Sequence, residues 1–293
     1  MLFQHFLDAS QRKEHSHYNT SQKKQDQPYV MKIAAHHLFG ESVITALTAQ
    51  NTLGVTGVLE VDPVFVGTQI DAVFDDIRPD AVKIGMVSSQ AIVGAIADGL
   101  DRHKAANVVV DPVMVATSGS ALIADAAVDA LVRQLFPRAS VITPNIPEAE
   151  VLSGMAIASL EDVETAASLI ADRCIAVWEN EPAFADAAPS VPAILIKGGH
   201  GVGEPDAADD YLRMASGESV WLRGKRITND NTHGTGCSLS SAIACGLARG
   251  FAVDVAVRDA KAYVAGALAA GLNLGRGSGP LDHMWQYGAP MPC

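Results

Sequence analysis

From Met31 onward the apolar residues fall into two patterns: short unbroken runs, and longer stretches in which they recur every three or four positions. The runs AVKIGM (Ala81–Met86), NVVVDPV (Asn107–Val113), SVIT (Ser140–Thr143) and AILIK (Ala193–Lys197) predict strands covered on both faces. SVITALTA (Ser42–Ala49) predicts another, ending at the polar corner Gln50-Asn51-Thr52. The periodic stretches predict helices over Met31–Leu38, Asp62–Ile77, Gln90–His103, Ala121–Phe136, Ile146–Leu152 and Leu160–Trp178. Asp62 and Pro63 supply a cap and a first position for the second of these, and Pro147 opens the fifth. Asp210–Met214 and Ser219–Leu222 read as a hairpin around Ser216-Gly217. Strands and helices alternating at this spacing call for an α/β fold with a mostly parallel sheet.

The segment Asn229–Gly250, NDNTHGTGCSLSSAIACGLARG, has a different character. Its Gly234-Thr235-Gly236 turn leads straight into Cys237 and a helical run of small residues, with Gly250 placed as the C′ stop. Glycines let successive backbone N–H groups converge, and the helix behind them adds about half a positive charge at its N-terminus. The turn therefore reads as an anion cradle, although the same glycines would serve a plain cap on a buried helix. The neighbouring His233, Thr235 and Cys237 favour the cradle, because a plain cap needs no polar cluster. Cys237 falls in the first helical turn, where the dipole favours an anion, and is a candidate base.

Composition narrows the partners. A hydrophobic fraction of 48% with few aromatics suits strands covered by helices. With 21 Lys and Arg against 33 Asp and Glu the net charge is −12, and no basic block interrupts it, which argues against nucleic acid. Anionic substrates must therefore be held by local features. Cys174, Cys237, Cys245 and Cys293 show neither metal-ligand spacing nor a dense framework, which fits a reducing, cytoplasmic setting. No apolar run reaches the length of a membrane span. Residues 1–30 lack sustained periodicity and read as a mobile tail, distinct from a single domain over residues 31–293. His5, His15 and His17 in that tail read as solvated side chains, since no second ligand cluster with metal spacing appears.

In open parallel sheets ligands bind beyond the carboxyl ends of the strands, and the polar residues cluster there: Gln50, Met86, Asp111, Asn145, Glu148, Lys197 and the Gly234 turn. Taken singly, Asp111 could cap a turn, Glu148 could be a first-turn acid and Lys197 a surface lysine. Together they supply what phosphoryl transfer needs, namely acids to hold magnesium through water, a cation for phosphate oxygens and a backbone anion hole.

VVVDPVM (Val108–Met114), VITPNIPEAEVLSG (Val141–Gly154), ILIKGGH (Ile194–His200), NTHGTGCSLSSAIACGLARG (Asn231–Gly250) and AKAYVAGAL (Ala260–Leu268) resemble the hydroxymethylpyrimidine and phosphomethylpyrimidine kinases of thiamin biosynthesis. SVITALTAQNTLGV (Ser42–Val55) and AVKIGM fit the same family in the same order, so the likeness runs from about Met31 to Trp285. The resemblance implies a ribokinase-like three-layer α/β/α fold, ATP with Mg²⁺, and a homodimer. It further implies phosphorylation of 4-amino-5-hydroxymethyl-2-methylpyrimidine and then of its monophosphate. It places Cys237 beside the substrate hydroxyl and makes Gly234, Thr235 and Gly236 the anion hole. Lys197 would contact ATP phosphates, with Asn145 and Thr143 near them, and Asp111 and Glu148 would order Mg²⁺ and its waters. Gln50 would read the aminopyrimidine, since a carboxamide both donates and accepts, and Met86 would pack on the ring.

One departure bears on both fold and activity. Where the family has a first strand followed by a glycine-rich loop with a substrate-contacting Asp, this chain reads QKKQDQPYVMKIAAHHLFGES. Asp26 matches that Asp neither in neighbours nor in spacing. Losing the segment would open a sheet position and remove substrate contacts. A catalytically impaired, kinase-like binding protein and a pyridoxal kinase-like enzyme are the alternative readings.

Overall fold

An apolar run buried on both faces must divide its side chains between two cores, because successive strand residues point to opposite sides. The runs do this in the computed structural model, which describes residues 2–5, 31–114, 125–181, 184, 190–199, 202–229, 232, 234–272 and 274–288. In chain order the first elements are strand β1 (Leu2–His5), helix α1 (residues 31–35), strands β2 (Phe39–Ser42), β3 (Ala46–Asn51) and β4 (Gly54–Glu60), and helix α2 (Pro63–Asp76). Next come β5 (Ala81–Ile84), α3 (Gln90–Arg102), β6 (Val108–Val110), α4 (Asp125–Ala130), β7 (Val141–Ile142), α5 (Ile146–Ser153) and α6 (Leu160–Asn180). The chain continues with β8 (Ala193–Ile196), β9 (Asp210–Arg213), β10 (Ser219–Leu222), α7 (Thr235–Ala248) and α8 (Val253–Ala269).

Eight strands form one sheet in the order β10-β9-β8-β7-β6-β5-β1-β2. The neighbours β5, β6, β7 and β8 are parallel, whereas β9 is antiparallel to β8 and β1 is antiparallel to β5. Since β2 and β10 are antiparallel to β1 and β9 in turn, they run with the central four, and the sheet is mostly parallel as expected. Val82, Ile84, Val108, Val110, Ile142, Ile194 and Ile196 face the core beneath α2 to α6. Ala81, Val109, Val141, Ala193, Leu195 and Leu212 face α7 and α8, completing three layers. Each such valine, leucine or isoleucine is worth roughly 1.5–3 kcal/mol on full burial.

Helix α7 is buried from Ser238 to Leu247, pressed between the sheet and α8. Small residues permit this, and the hydroxyls of Ser238 and Ser241 donate back to Gly234 and Cys237 carbonyls at 2.7 Å each, so no polar group is stranded. Gly250 at φ +79° follows the Arg249 cap as the predicted stop.

The structure corrects several expectations. Ser42–Ala49 is not one strand: β2 ends at Ser42, and β3 pairs with β4 in a separate two-stranded ribbon. Strand β4 escaped notice because the ribbon has no core beneath it, and its residues are largely exposed. The strand expected over Asn107–Val113 is confined to β6, with Asn107 at φ 53°. The sheet position expected to stand open is filled by Leu2–His5, a segment read as tail, which pairs with both β2 and β5. Asp26, His15 and His17 lie outside the described residues. The helix expected over Ala121–Phe136 is described from Asp125 as α4, gives way to a π turn at Leu131–Leu135 and ends in a 3-10 turn at Phe136–Arg138, residues 121–124 lying outside the described residues.

Candidate active site

The central strands stop along one edge of the sheet, and the residue that follows each was singled out by the sequence. Asp111 follows β6, Thr143 follows β7 and Lys197 follows β8, while Met86 stands two residues beyond β5. The β7 and β8 extensions stay in register through an Asn145–Lys197 bridge, with the Lys197 N–H donating to Pro144 O at 2.9 Å. This delivers the Lys197 amine to Asp111, Nζ lying 2.8 Å from Oδ1, and to within 3.9 Å of Glu148 Oε2. Thr143 Oγ1 donates to Asp111 Oδ1 at 3.0 Å. Asn145 and Glu148 form a reciprocal capping box at the start of α5: Asn145 N–H donates to Glu148 Oε2 at 2.8 Å, and Glu148 N–H to Asn145 Oδ1 at 2.9 Å. Capping and site membership thus coincide in Glu148, which is buried beside the lysine.

The charges are strongly coupled. Burial alone would raise the Asp111 carboxyl, but Lys197 and Lys83, with bonds from Lys197 and Thr143, outweigh it and hold the group below the usual carboxylate range. The Lys197 amine, which burial would lower, is held above its ordinary value by Asp111 and Glu148. For Glu148, burial dominates and pushes its carboxyl up against the pull of Lys197. The arrangement keeps one firm carboxylate and one firm ammonium side by side, with a softer acid next to them.

The glycine turn closes the site from the other face of the sheet. Gly234 caps α7 in the left-handed region at φ +81°, a conformation that L side chains rarely adopt. A Cβ on Gly236 would stand 3.2 Å from Lys197 Nζ and 3.9 Å from Asp111 Oδ2, so the first turn of α7 lies directly against the charged cluster. The Thr235 N–H is spent on Thr232 O at 3.2 Å, which removes it from the expected set of three anion-hole amides. Gly236 and Cys237 hold the next two first-turn amides, which no intrahelical carbonyl can reach. Cys237 is partly exposed there. His233 lies outside the described residues.

The two residues expected to meet the pyrimidine lie on the two-stranded ribbon and at its root. Gln50 is exposed on β3, at a register irregularity of the ribbon, and Thr48 Oγ1 lies 3.5 Å from its Oε1. Met86 sits at the root of that ribbon, where its carbonyl accepts from Thr45 Oγ1 at 3.2 Å. Three residues passed over in the sequence join the cluster instead. Ser240 Oγ lies 3.2 Å from Asp111 Oδ2 and 3.0 Å from Gly236 O, with one proton to give. Lys83 Nζ is 3.9 Å from Asp111 Oδ2, and the buried Lys32 of α1 points its amine at the turn, 4.0 Å from where a Gly234 Cβ would be. The available signal was a lysine inside an apolar run, in AVKIGM and in MKIAAHHLF.

The family profile described as phosphomethylpyrimidine kinase matches residues 30–282, well over half of the chain. The chain belongs to the phosphomethylpyrimidine kinase family. A hydroxymethylpyrimidine/phosphomethylpyrimidine kinase of Rhizobium meliloti is 46% identical over 253 residues, spanning 85% of this chain and 88% of that one. The crystal structure of a phosphomethylpyrimidine kinase from Clostridium difficile shares 38% identity at a TM-score of 0.66, covering 82% of this chain and 90% of the other. An ADP complex of a Bacillus subtilis pyridoxal kinase superposes at 0.76 with 27% identity, over 90% and 93% of the two chains. Backbone likeness therefore extends across both kinase types, whereas sequence identity is higher to the pyrimidine kinases. Like its family, the chain is a phosphotransferase with a ribokinase-like fold.

A kinase of this family uses ATP, and the donor chemistry of the cluster would fit a magnesium ion. Asp111 and Glu148 offer hard carboxylate oxygens, and no group of three metal-ligating side chains occurs among the described residues. Such a pair suits an ion that keeps several waters and takes its remaining ligands from phosphates.

Proposed function

We propose that the chain transfers the γ-phosphoryl group of ATP to 4-amino-5-hydroxymethyl-2-methylpyrimidine, and then to its monophosphate, at the cluster around Lys197. The observation that carries this reading is the Lys197 amine held by Asp111 at 2.8 Å and facing the Gly236 turn. An ammonium and a helix N-terminus then converge where phosphate charge must be held during transfer. Asp111 and Glu148 would hold Mg²⁺ through water, and the ion would supply neutralisation of phosphate charge. Thr143 and Ser240 hold Asp111 in place, and Asn145 fixes Glu148 through the capping box. The substrate hydroxyl oxygen bonds to the γ-phosphorus as the bond to the ADP oxygen breaks, and its proton passes to Cys237 acting as the base. Gln50 contacts the pyrimidine from the ribbon and Met86 from its root beyond β5.

A coupled ADP-release assay with hydroxymethylpyrimidine, its phosphate and pyridoxal tests the reading. Turnover on both pyrimidines well above that on pyridoxal is expected. ATP binding without turnover on either pyrimidine would support an impaired, binding-only protein instead, and a preference for pyridoxal would move the chain to the other kinase type. We further propose a homodimer, since Leu53, Leu59, Val64 and Phe65 around the ribbon and the start of α2 are largely exposed and a second copy would cover them. Sedimentation velocity reads this directly, and a monomer at assay concentration overturns it. Free Cys174, Cys237 and Cys245 fit a cytoplasmic setting.

A further inference from the structure

Strands β8 and β9 pair Ile196 with Tyr211, and one step further along that antiparallel register Lys197 comes opposite Asp210. The ladder stops there, yet the next amide is held. Gly198 N–H donates to the Asp210 side chain, 2.9 Å from Oδ1, in a buried contact. The other carboxylate oxygen accepts from Lys261 Nζ of α8 at 2.6 Å, and the same amine donates to Ala208 O at 2.6 Å. Gly224 leaves room for that lysine, since a Cβ there would stand 2.8 Å from Lys261 Cε. An asparagine would accept from Gly198 without placing a charge in the interior, so the buried carboxylate needs a reason. A charged acceptor makes a bond roughly twice as strong as a neutral one. The Gly198 N–H belongs to the peptide that carries the Lys197 carbonyl, and Lys197 donates its own N–H to Pro144 O at 2.9 Å. Both peptides flanking the Lys197 Cα are thereby fixed, which sets the direction in which its side chain leaves the chain. Asp111 holds the amine at the far end of a flexible stem, and the Asp210 bond fixes the near end.

We infer that Asp210 is a positioning residue for phosphoryl transfer: held by Lys261, it fixes the Lys197–Gly198 peptide and so aims the Lys197 amine at the transferred phosphate. This rests on the phosphate-binding reading of Lys197. A misplacement of about 1 Å can cost about a hundredfold in rate, so the peptide must be held more firmly than folding alone requires.

The test uses two paired variants that differ in the acceptor offered to Gly198. Asp210→Asn with Lys261→Met removes both charges and keeps an oxygen for the amide, whereas Asp210→Leu with Lys261→Met removes the oxygen as well at similar volume. Each is compared with wild type in ATP-dependent turnover of hydroxymethylpyrimidine, thermal unfolding and amide exchange at Gly198, at a temperature where all are folded. The Asn pair should keep kcat within about threefold of wild type, and the Leu pair should lose about tenfold to a hundredfold, with weaker ATP binding and faster exchange at Gly198. Added to Lys197→Ala, the Leu pair should lower turnover little further, because it acts through that amine. A Leu pair that lowers Tm but keeps the kcat of the Asn pair overturns the inference and marks a structural acceptor. Equal losses in the two pairs overturn it too, as does a full further loss on top of Lys197→Ala. If the Leu pair is insoluble, Asp210→Ala with Lys261→Met makes the same comparison. Wild-type kinetics in Lys197→Ala alone would sink the phosphate reading of that lysine, and with it the route claimed for Asp210. Should wild type phosphorylate neither pyrimidine, the substrate reading fails separately, and affinity for Mg-AMP-PNP replaces turnover in the same comparison.

Discussion

Taking away the Lys197 amine leaves Asp111 a buried carboxylate that has lost its closest cation, with Lys83 at 3.9 Å as the nearest ion-pair partner left among the described residues. Removing one partner of a buried pair costs about 3 kcal/mol or more, and Lys83 should keep Lys197→Ala near the lower end. Urea unfolding should show that loss, and kinetics should show weaker nucleotide binding with slower transfer; wild-type values in both would move the phosphate contact elsewhere. The glycine turn and the thiol separate in the same way. Cys237→Ala removes the proposed base and should lower turnover about a hundredfold with ATP affinity nearly intact. Gly236→Ala drives a methyl to 3.2 Å from the Lys197 amine and displaces it from the anion hole, so its loss should be the larger of the two. Equal losses would mean that proton removal matters more than charge placement. At this scale Asp111, Glu148, Lys197 and Cys237 were legible as candidates because each lies at the end or in the first turn of an element. Lys32, Lys83 and Ser240 stayed hidden because each sits inside an element whose apolar pattern they only interrupt.

Elements show where periodicity speaks and where it falls silent. The runs that became β5 to β8 were legible because both faces are buried, and α2 because Asp62 and Pro63 announce it. The β3–β4 ribbon was not, since a strand pair without a core under it has no reason to alternate. The edge strand β2 carries its own test. Its Glu41 is pushed up to about 7 by burial and then by Asp76, and its buried Oε2 has no partner among the described residues. A carboxyl whose folded pKa lies above the ordinary 4.5 binds its proton more tightly in the folded state. The stability it contributes is complete below that ordinary value and is lost as pH rises through about 7. Glu41→Gln cannot ionise, so its Tm should decline less than wild type across this window and exceed it above neutrality. Parallel Tm curves for the two proteins would show that Glu41 titrates as it does in the unfolded chain.

Across the whole molecule, a chain of net charge −12 gathers Lys32, Lys83 and Lys197 at one point, which is how an acidic protein can take anionic substrates without a basic surface. Two of these lysines reach the site from the central sheet, and the third comes from α1, whose position depends on the N-terminal part of the fold. There β1 joins β2 to β5, pairing Leu2 with Ser42 on one side and with Lys83 on the other. Without β1, the backbone groups of β2 lose their partners, and β5 becomes an exposed sheet edge. The next turn back along the chain from β2 is α1 itself. Deleting residues 1–5 should therefore lower Tm and speed amide exchange at residues 39–42 and 81–84, while residues 193–196 in β8 keep their protection. Turnover should fall with it, because α1, which lies against the Gly234 turn through Lys32, loses the strand that anchors its far end. If exchange at β2 and β5 is unchanged, Leu2–His5 does not form the joining strand. If exchange accelerates but turnover stays at the wild-type rate, the strand serves stability alone, and the placement of Lys32 does not depend on it.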